Sequence, residues 1–228
     1  MPWNEESYLR FFPKLTYQAD PQVDAVLSRL PAGGRILDLG AGGRLIGPGV
    51  FCVDFIPFPH TRLVSDVQRL PVRDGSVDAV FATGLLEHVD DEKAVLDEIT
   101  RVLRPGGIVH IEIPFLQQYH QDPIDCRRLT MEGLERELKK LGFQTVKSGF
   151  HIGPSVTIVT LLTYYGAMLF EGESRLSRAF STGVFLLLST VLYPFKFLDR
   201  FLLRKRSAHR LAFGVFCTSR KEPLPAGG

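Results

Sequence analysis

Residues 36–44 read ILDLGAGGR: a short apolar run carrying one aspartate, Asp38, followed by three glycines within four positions. Ile36–Leu39 has the length and composition of a buried strand. Glycine neither continues a strand nor starts a helix well, so the run ends in a bend. At Gly40, Ala41 and Gly42 the backbone is almost bare of side chains, and a bound group can approach it closely. Asp38 stands just before that bend.

Outward from the bend, strands and helices alternate over the first 150 residues. DPQVDAVLSRL (20–30) offers Asp20 as an N-cap and Pro21 at the first helical position, with Val23, Val26, Leu27 and Leu30 at helical spacing. GVFCVD (49–54), RLVSD (62–66), SVDAVFAT (76–83), GIVHIEI (107–113) and FQTVKSGF (143–150) read as strands. DEKAVLDEITRVL (91–103) is an amphipathic helix with Ala94, Val95, Ile99 and Val102 on one face, stopped by RPGG. Thr130 caps the helix that starts at MEGLERELKKL, and Gly142 ends it. LAFGVFCTSRK (211–221) reads as a last strand and EPLPAGG as a disordered tail. This order predicts an α/β fold: a Rossmann-like, mostly parallel sheet of seven strands with helices on both faces. In such sheets ligands bind beyond the carboxyl ends of the strands, where strand order reverses, and the glycine bend lies there.

Bulk properties narrow the classes. The chain has 228 residues, 45% hydrophobic and 23% charged, which suits one domain, 1–228, with an elaboration at 151–210. A net charge of +2 gives no reason to expect nucleic acid as a partner. Cys52, Cys126 and Cys217 are scattered and odd in number, which favours a reducing, cytoplasmic setting over a disulfide framework. The N-terminus carries early acids and no apolar core, unlike a secretory signal.

Two cofactor classes use a glycine turn after a first strand. A dinucleotide needs G-x-G-x-x-G and a helix N-terminus for its pyrophosphate, but the third position here is Leu45, and Gly47, Pro48 and Gly49 break any helix. S-adenosylmethionine has no phosphate; it needs room at the bend and an acid for its ribose diol. Gly40 and Gly42 supply the room, and Asp54 stands where that acid belongs. Asp38 then either orients the turn through backbone N–H groups or meets the methionyl ammonium through a water.

The stretches ILDLGAGG, VDF, SDVQRLPVRDGSVDAVFATGLLEHV and EITRVLRPGGIVHIEIPF, in this order and spacing, resemble the motifs of class I S-adenosylmethionine-dependent methyltransferases, most closely the bacterial group similar to the ubiquinone-biosynthesis enzymes. The resemblance covers residues 33–150 and the last strand, and departs from the family in the short connection Gly43–Val50. It implies that Asp38, Gly40, Ala41 and Gly42 form the first motif, that Asp54 holds the ribose and that Phe55 lies against the adenine. It also implies that Asp66 and Val67 hold the adenine edge, and that Gly84 and Leu85 lie near the sulfonium. The rival readings are a binding module of the same fold without turnover, and an NAD-dependent Rossmann enzyme.

Methyl transfer to oxygen benefits from a general base, and histidine titrates in the right range. His88 follows the fourth strand. His120 lies in PFLQQYHQDPIDCRRLT, which gathers Tyr119, Asp122, Asp125, Arg127 and Arg128 after the fifth. Its H-x-x-P-x-D-x-x-R-x-T pattern resembles bacterial methyltransferases suspected of acting on surface glycans. The candidate roles are His120 or His88 as base, Asp125 as its orienter, and Tyr119 and Arg128 as acceptor contacts, with Arg128 alternatively pairing Asp125 to fix the loop. His120 with Asp122 is too thin a set for a metal, and none is expected.

Composition changes after residue 151. No residue between Ile152 and Phe170, or between Ala179 and Phe195, is charged, whereas KFLDRFLLRKRSAHR (196–210) holds six Lys or Arg and one acid. This insertion precedes the last strand. It reads as two core helices over the acceptor site, as a hairpin dipping into one leaflet, or as a two-span anchor; the basic segment favours peripheral contact with an anionic membrane face. The expected acceptor is a glycan, a lipid-linked molecule or another small molecule, met in the cytoplasm or at the inner face of the membrane.

Overall fold

The structure, a computed structural model, describes residues 21–121 and 123–223. Asp20, Asp122 and residues 224–228, which carry expectations above, lie outside them. The described chain forms two compact units, one of 21–115, 119–151 and 214–223, the other of 116–118 and 152–213.

The first unit is an α/β sheet unit. Its elements are α1 (Pro21–Leu27), β1 (Ile36–Leu39), β2 (Phe51–Asp54), β3 (Thr61–Val64), β4 (Val77–Thr83), α2 (Glu92–Val102), β5 (Leu103–Pro114), α3 (Met131–Lys140), β6 (Phe143–Ile152) and β7 (Gly214–Lys221). The sheet runs β3-β2-β1-β4-β5-β7-β6. The pairs among β1–β5 are parallel, and β7 lies antiparallel to β5. Strand order turns back between β1 and β4, so the loops leaving those two strands are neighbours.

Alternation along β4 sorts the helices. Val80 and Ala82 join a core with Leu37 and Leu39 of β1, Val95 and Ile99 of α2, and Leu134 and Leu138 of α3. Ala79 and Phe81 face the other way and pack with Val23, Val26 and Leu27 of α1. Helices therefore cover both faces, as the sequence predicts. Asp91 caps α2 by accepting from Ala94 N at 3.0 Å, and Thr130 caps α3 by accepting from Gly133 N at 3.1 Å. On α2 the buried stripe takes in Leu96, whereas Ala94 is half-buried. RPGG is not a loop after α2 but a bulge within β5: pairing with β4 jumps from Val77↔Leu103 to Ala79↔Ile108, and Gly106 takes φ +75°.

The second unit contains α4 (Pro154–Met168), α5 (Arg175–Leu192), a 3₁₀ turn at Tyr193–Leu198, α6 (Asp199–Leu202) and a second 3₁₀ turn at Ala208–Leu211. Gly153, at the start of α4, has no side chain to cap it. Asp199 does so from 44 residues away: its fully buried carboxylate accepts from Ser155 N at 2.8 Å and Val156 N at 3.3 Å. A side chain at Gly153 would collide with that carboxylate. Asp199→Ala is expected to lower the stability of this unit by about 2 kcal/mol, by loss of the cap and of the bonds to a buried charge. Urea denaturation followed by circular dichroism measures it.

Candidate functional site

The bend after β1 is held by β2. Gly40 N and Ala41 N donate to Val53 O at 2.9 and 3.3 Å. Gly42 N donates to Asp54 Oδ2 at 2.8 Å, and Ile56 N donates to Asp54 Oδ1 at 2.9 Å. Asp54 thus ties the glycine turn to the end of β2 through both carboxylate oxygens. Gly40 and Gly42 take φ +64° and +56°, a region strained for any other residue. A Cβ on Gly40 would lie 2.8 Å from Leu85 Cδ1, which seats the bend directly against the segment after β4. No helix forms between β1 and β2, in keeping with the short Gly43–Val50 connection. Instead the Arg44 guanidinium donates to the Thr83 hydroxyl at the end of β4.

Asp38 is fully buried, and among the described residues neither carboxylate oxygen has a hydrogen-bond partner. Burial pushes its pKa up to about 6, with Arg44 pulling it down and Asp54 adding to the rise. A buried carboxylate left in this state calls for a cationic or hydrogen-bond-donating guest. Phe55, 78% exposed, follows Asp54 at the rim.

The loop after β3 is fixed from α2. Leu70 N donates to Glu98 Oε2 at 2.7 Å, while Arg101 donates to Leu70 O, Val72 O, Glu98 and Asp74. Asp74, which accepts from Arg101, is thereby an anchor of this loop. At its start Asp66 Oδ1 accepts from Gln68 N at 2.9 Å, and Val67 is buried. Gly84, at φ +67°, donates to Glu112 O at 3.1 Å and leads into buried Leu85. The ten residues assigned to a cofactor therefore stand at the carboxyl ends of β1, β2, β3 and β4, on both sides of the strand-order reversal.

A second group forms beyond β4 and β5. The rings of His88 and His120 meet edge to face at 4.9 Å. His88 Nδ1 lies 2.5 Å from Ile124 O, which can only accept, so Nδ1 carries a proton and Nε2 holds the lone pair of the neutral ring. His120 N donates to Asp125 Oδ2 at 2.7 Å, and that oxygen lies 3.5 Å from His120 Nδ1. Arg128 grips both oxygens of Asp125. Burial pushes the Asp125 carboxyl up, but the hydrogen bonds and charges of Arg128 and His120 outweigh it and hold the group below the usual carboxylate range. Arg128 is thus committed to fixing the loop, and Tyr119 is 66% exposed.

The sequence reading passed over Glu87. It is 1% exposed, with Oε1 3.8 Å from His88 Nε2, and among the described residues Oε2 has no hydrogen-bond partner. Burial raises its pKa, opposed by its backbone hydrogen bond and by His88 and Arg128. Only an acid inside the apolar stretch LLEHV hints at this in the sequence. Glu87, His88 and His120 each bring one ligand atom within 4.8 Å of the others. His120 therefore groups with Glu87 and His88, in a set able to pass a proton or hold an ion.

Residues 52–111 match the model of a family described as Methyltransferase domain. The chain is 35% identical over 109 residues to tRNA (carboxymethyluridine(34)-5-O)-methyltransferase of Arabidopsis thaliana, covering 41% of this chain and 27% of that protein. It is also 35% identical over 109 residues to ubiquinone biosynthesis O-methyltransferase of Xanthomonas oryzae pv. oryzae, covering 38% and 46%. The chain spans less than half the length of these curated relatives. A solved structure of Burkholderia thailandensis 1,6-didemethyltoxoflavin-N1-methyltransferase, with bound 1,6-didemethyltoxoflavin and S-adenosylhomocysteine, superposes with a TM-score of 0.51 at 17% identity, covering 89% of this chain and 76% of that one. At that identity the likeness is one of fold.

Two outcomes test the site's construction. Gly40→Ala is expected to cost about 1–3 kcal/mol in urea denaturation, from the strained φ and the Leu85 collision. Asp38 binds its proton more tightly folded than unfolded, so its stabilising contribution is lost as pH rises through about 6. Between pH 5 and 7.5 the protein should lose about 1 kcal/mol that Asp38→Asn does not lose.

Proposed function

We propose that this chain is a class I S-adenosylmethionine-dependent methyltransferase that moves the methyl group of S-adenosylmethionine to an oxygen of a glycan, a lipid-linked molecule or another small acceptor; the match of residues 52–111 to a methyltransferase domain and the similarity to an O-methyltransferase support this reading. The observation that carries this reading is the buried, unpartnered Asp38 carboxylate behind a bend free of side chains. A cationic methionyl group suits that environment, and the pyrophosphate of a dinucleotide is repelled by it.

On this reading Asp38, Gly40, Ala41 and Gly42 surround the methionyl part. Asp54 takes the ribose hydroxyls on the lone pairs that its two N–H bonds leave open, since a carboxylate has about four acceptor sites. Phe55 covers the adenine, Asp66 and Val67 hold its edge, and Gly84 and Leu85 keep the backbone close to the reacting carbon. When bound, the cofactor supplies a methyl carbon already activated on sulfonium. The remaining work is alignment and removal of the acceptor's proton. His120 would take that proton as the methyl group passes from sulfur to the acceptor oxygen, the carbon–sulfur bond breaking and S-adenosylhomocysteine being left as the neutral thioether. Asp125 orients its ring, and His88 and Glu87 stabilise the charge that forms. Tyr119 contacts the acceptor, and Arg128 does so from within its pair with Asp125. The enzyme works in the cytoplasm, at the inner face of the membrane where the acceptor is lipid-linked. Nucleic acid is not among the proposed acceptors.

Isothermal calorimetry with S-adenosylhomocysteine and NAD tests the assignment. Binding of the first and not the second is expected, weakened roughly 10–100-fold by Asp54→Ala through loss of a charge-assisted contact. Binding of NAD alone would overturn the reading, and cofactor binding without turnover of any acceptor would leave a binding module. With methyl-labelled cofactor and polar-lipid or oligosaccharide extracts as acceptors, His120→Asn should lower kcat about 100-fold or more without altering cofactor affinity.

A further inference from the structure

The second unit is built inside out. On α4 the larger apolar residues face outward: Ile158, Leu161, Leu162, Tyr165, Met168 and Leu169 are all 40–61% exposed and recur on one stripe of the helix. Its buried side holds Thr157, Thr160 and Thr163 beside Val156, Val159 and Ala167. The longer α5 repeats the pattern, with Ser181 and Ser189 buried and Leu176, Phe180, Leu187 and Val191 exposed by 56–81%. Where the two helices meet, Ser181 Oγ donates to Ala167 O at 2.7 Å, and any side chain at Gly166 would collide with Leu188. Small and hydroxylated residues inside with large apolar ones outside is the arrangement of helices solvated by lipid, the reverse of a helix facing water.

Charge completes the surface. From Arg175 to Arg210 the chain carries eight Lys or Arg and one acid, Asp199, which is buried as the cap of α4. Arg200, Arg204, Lys205, Arg206 and Arg210 are exposed directly after the apolar run, and Arg175 and Arg178 are exposed at its start. A shallow groove of about 420 Å³ on α5, lined by Leu176, Ala179, Phe180, Gly183, Val184 and Leu187, lies between these basic ends.

We propose that this unit docks on an anionic phospholipid bilayer, with α4 and α5 lying in the interface, their outward stripes in the headgroup–acyl boundary and the flanking arginines and lysines at the phosphates. The helical stretch Arg175–Leu202, 28 residues holding an 18-residue window of mean hydropathy 1.4, is long and apolar enough to cross a membrane. The turn joining α4 to α5 carries exposed Glu171 and Glu173, however, with exposed Arg175 opening α5, and burying that tip in hydrocarbon is costly. An in-plane position buries the stripes and leaves the tip in water. The docking gives the proposed cytoplasmic enzyme its place at the inner face of the membrane and rests on that reading for its purpose, not for its physics.

Flotation of the full chain with vesicles of phosphatidylcholine, with and without phosphatidylglycerol, tests this. The protein should float with the anionic vesicles and be released by salt. Arg204→Ala/Lys205→Ala/Arg206→Ala should bind roughly 100-fold more weakly. Leu162→Glu/Leu187→Glu, both at exposed positions, should abolish flotation at an unchanged melting temperature. A chain that stays at the bottom with anionic vesicles at low salt overturns the proposal, as does binding untouched by either variant. A concentration-dependent dimer with no vesicle binding also overturns it, in favour of a second copy on this face. S-adenosylhomocysteine calorimetry on the same preparation separates failure of docking from failure of the methyltransferase reading.

Discussion

The carboxylate of Asp54 holds the turn on which the rest of the site depends. By accepting from Gly42 N and Ile56 N it locks the bend after β1 to the end of β2, and that bend directly follows the buried Asp38. Two negative groups are thereby placed close enough for Asp54 to raise the Asp38 pKa. Arg44, tied to Thr83 across the strand-order reversal, pulls the Asp38 pKa back down. Such a constellation is poor for folding and good for binding: it keeps an acceptor of positive charge dry and fixed before the ligand arrives.

The surrounding structure can be read as support for that constellation. Parallel strands bring the ends of β1, β2, β3 and β4 to one side, and the α2 residues Glu98 and Arg101 hold the loop after β3 from behind. Beyond β5 the same logic recurs. Arg128 fixes Asp125, Asp125 fixes the backbone of His120, and Ile124 fixes the tautomer of His88, so the two imidazoles meet at a set angle.

Most of the sheet unit was legible because its signals are local. Glycine after an apolar run, Thr130 before helical spacing, and Gly142 after it each act within a few residues. What escaped was non-local. RPGG follows the end of the helix, as read, but it is also absorbed into β5 as a bulge, because β4 offers pairing partners on both sides of it. Asp199 caps a helix from 44 residues beyond Ser155, whose N–H it accepts. Glu87 is recognisable as a buried acid only once the sheet has closed over it. The composition of 151–210 revealed an apolar insertion, but only the folded helices disclose that the hydroxyls face in and the leucines out.

The central claim is that a buried, ionised Asp38 receives the cationic end of an adenosyl cofactor. The pH dependence of S-adenosylhomocysteine affinity tests it most directly. The account predicts that binding weakens about tenfold for each pH unit below about 6 and is level above it, with the slope abolished in Asp38→Asn. Affinity that is flat from pH 5 to 8 in the native protein, or an unchanged slope in the variant, would contradict it.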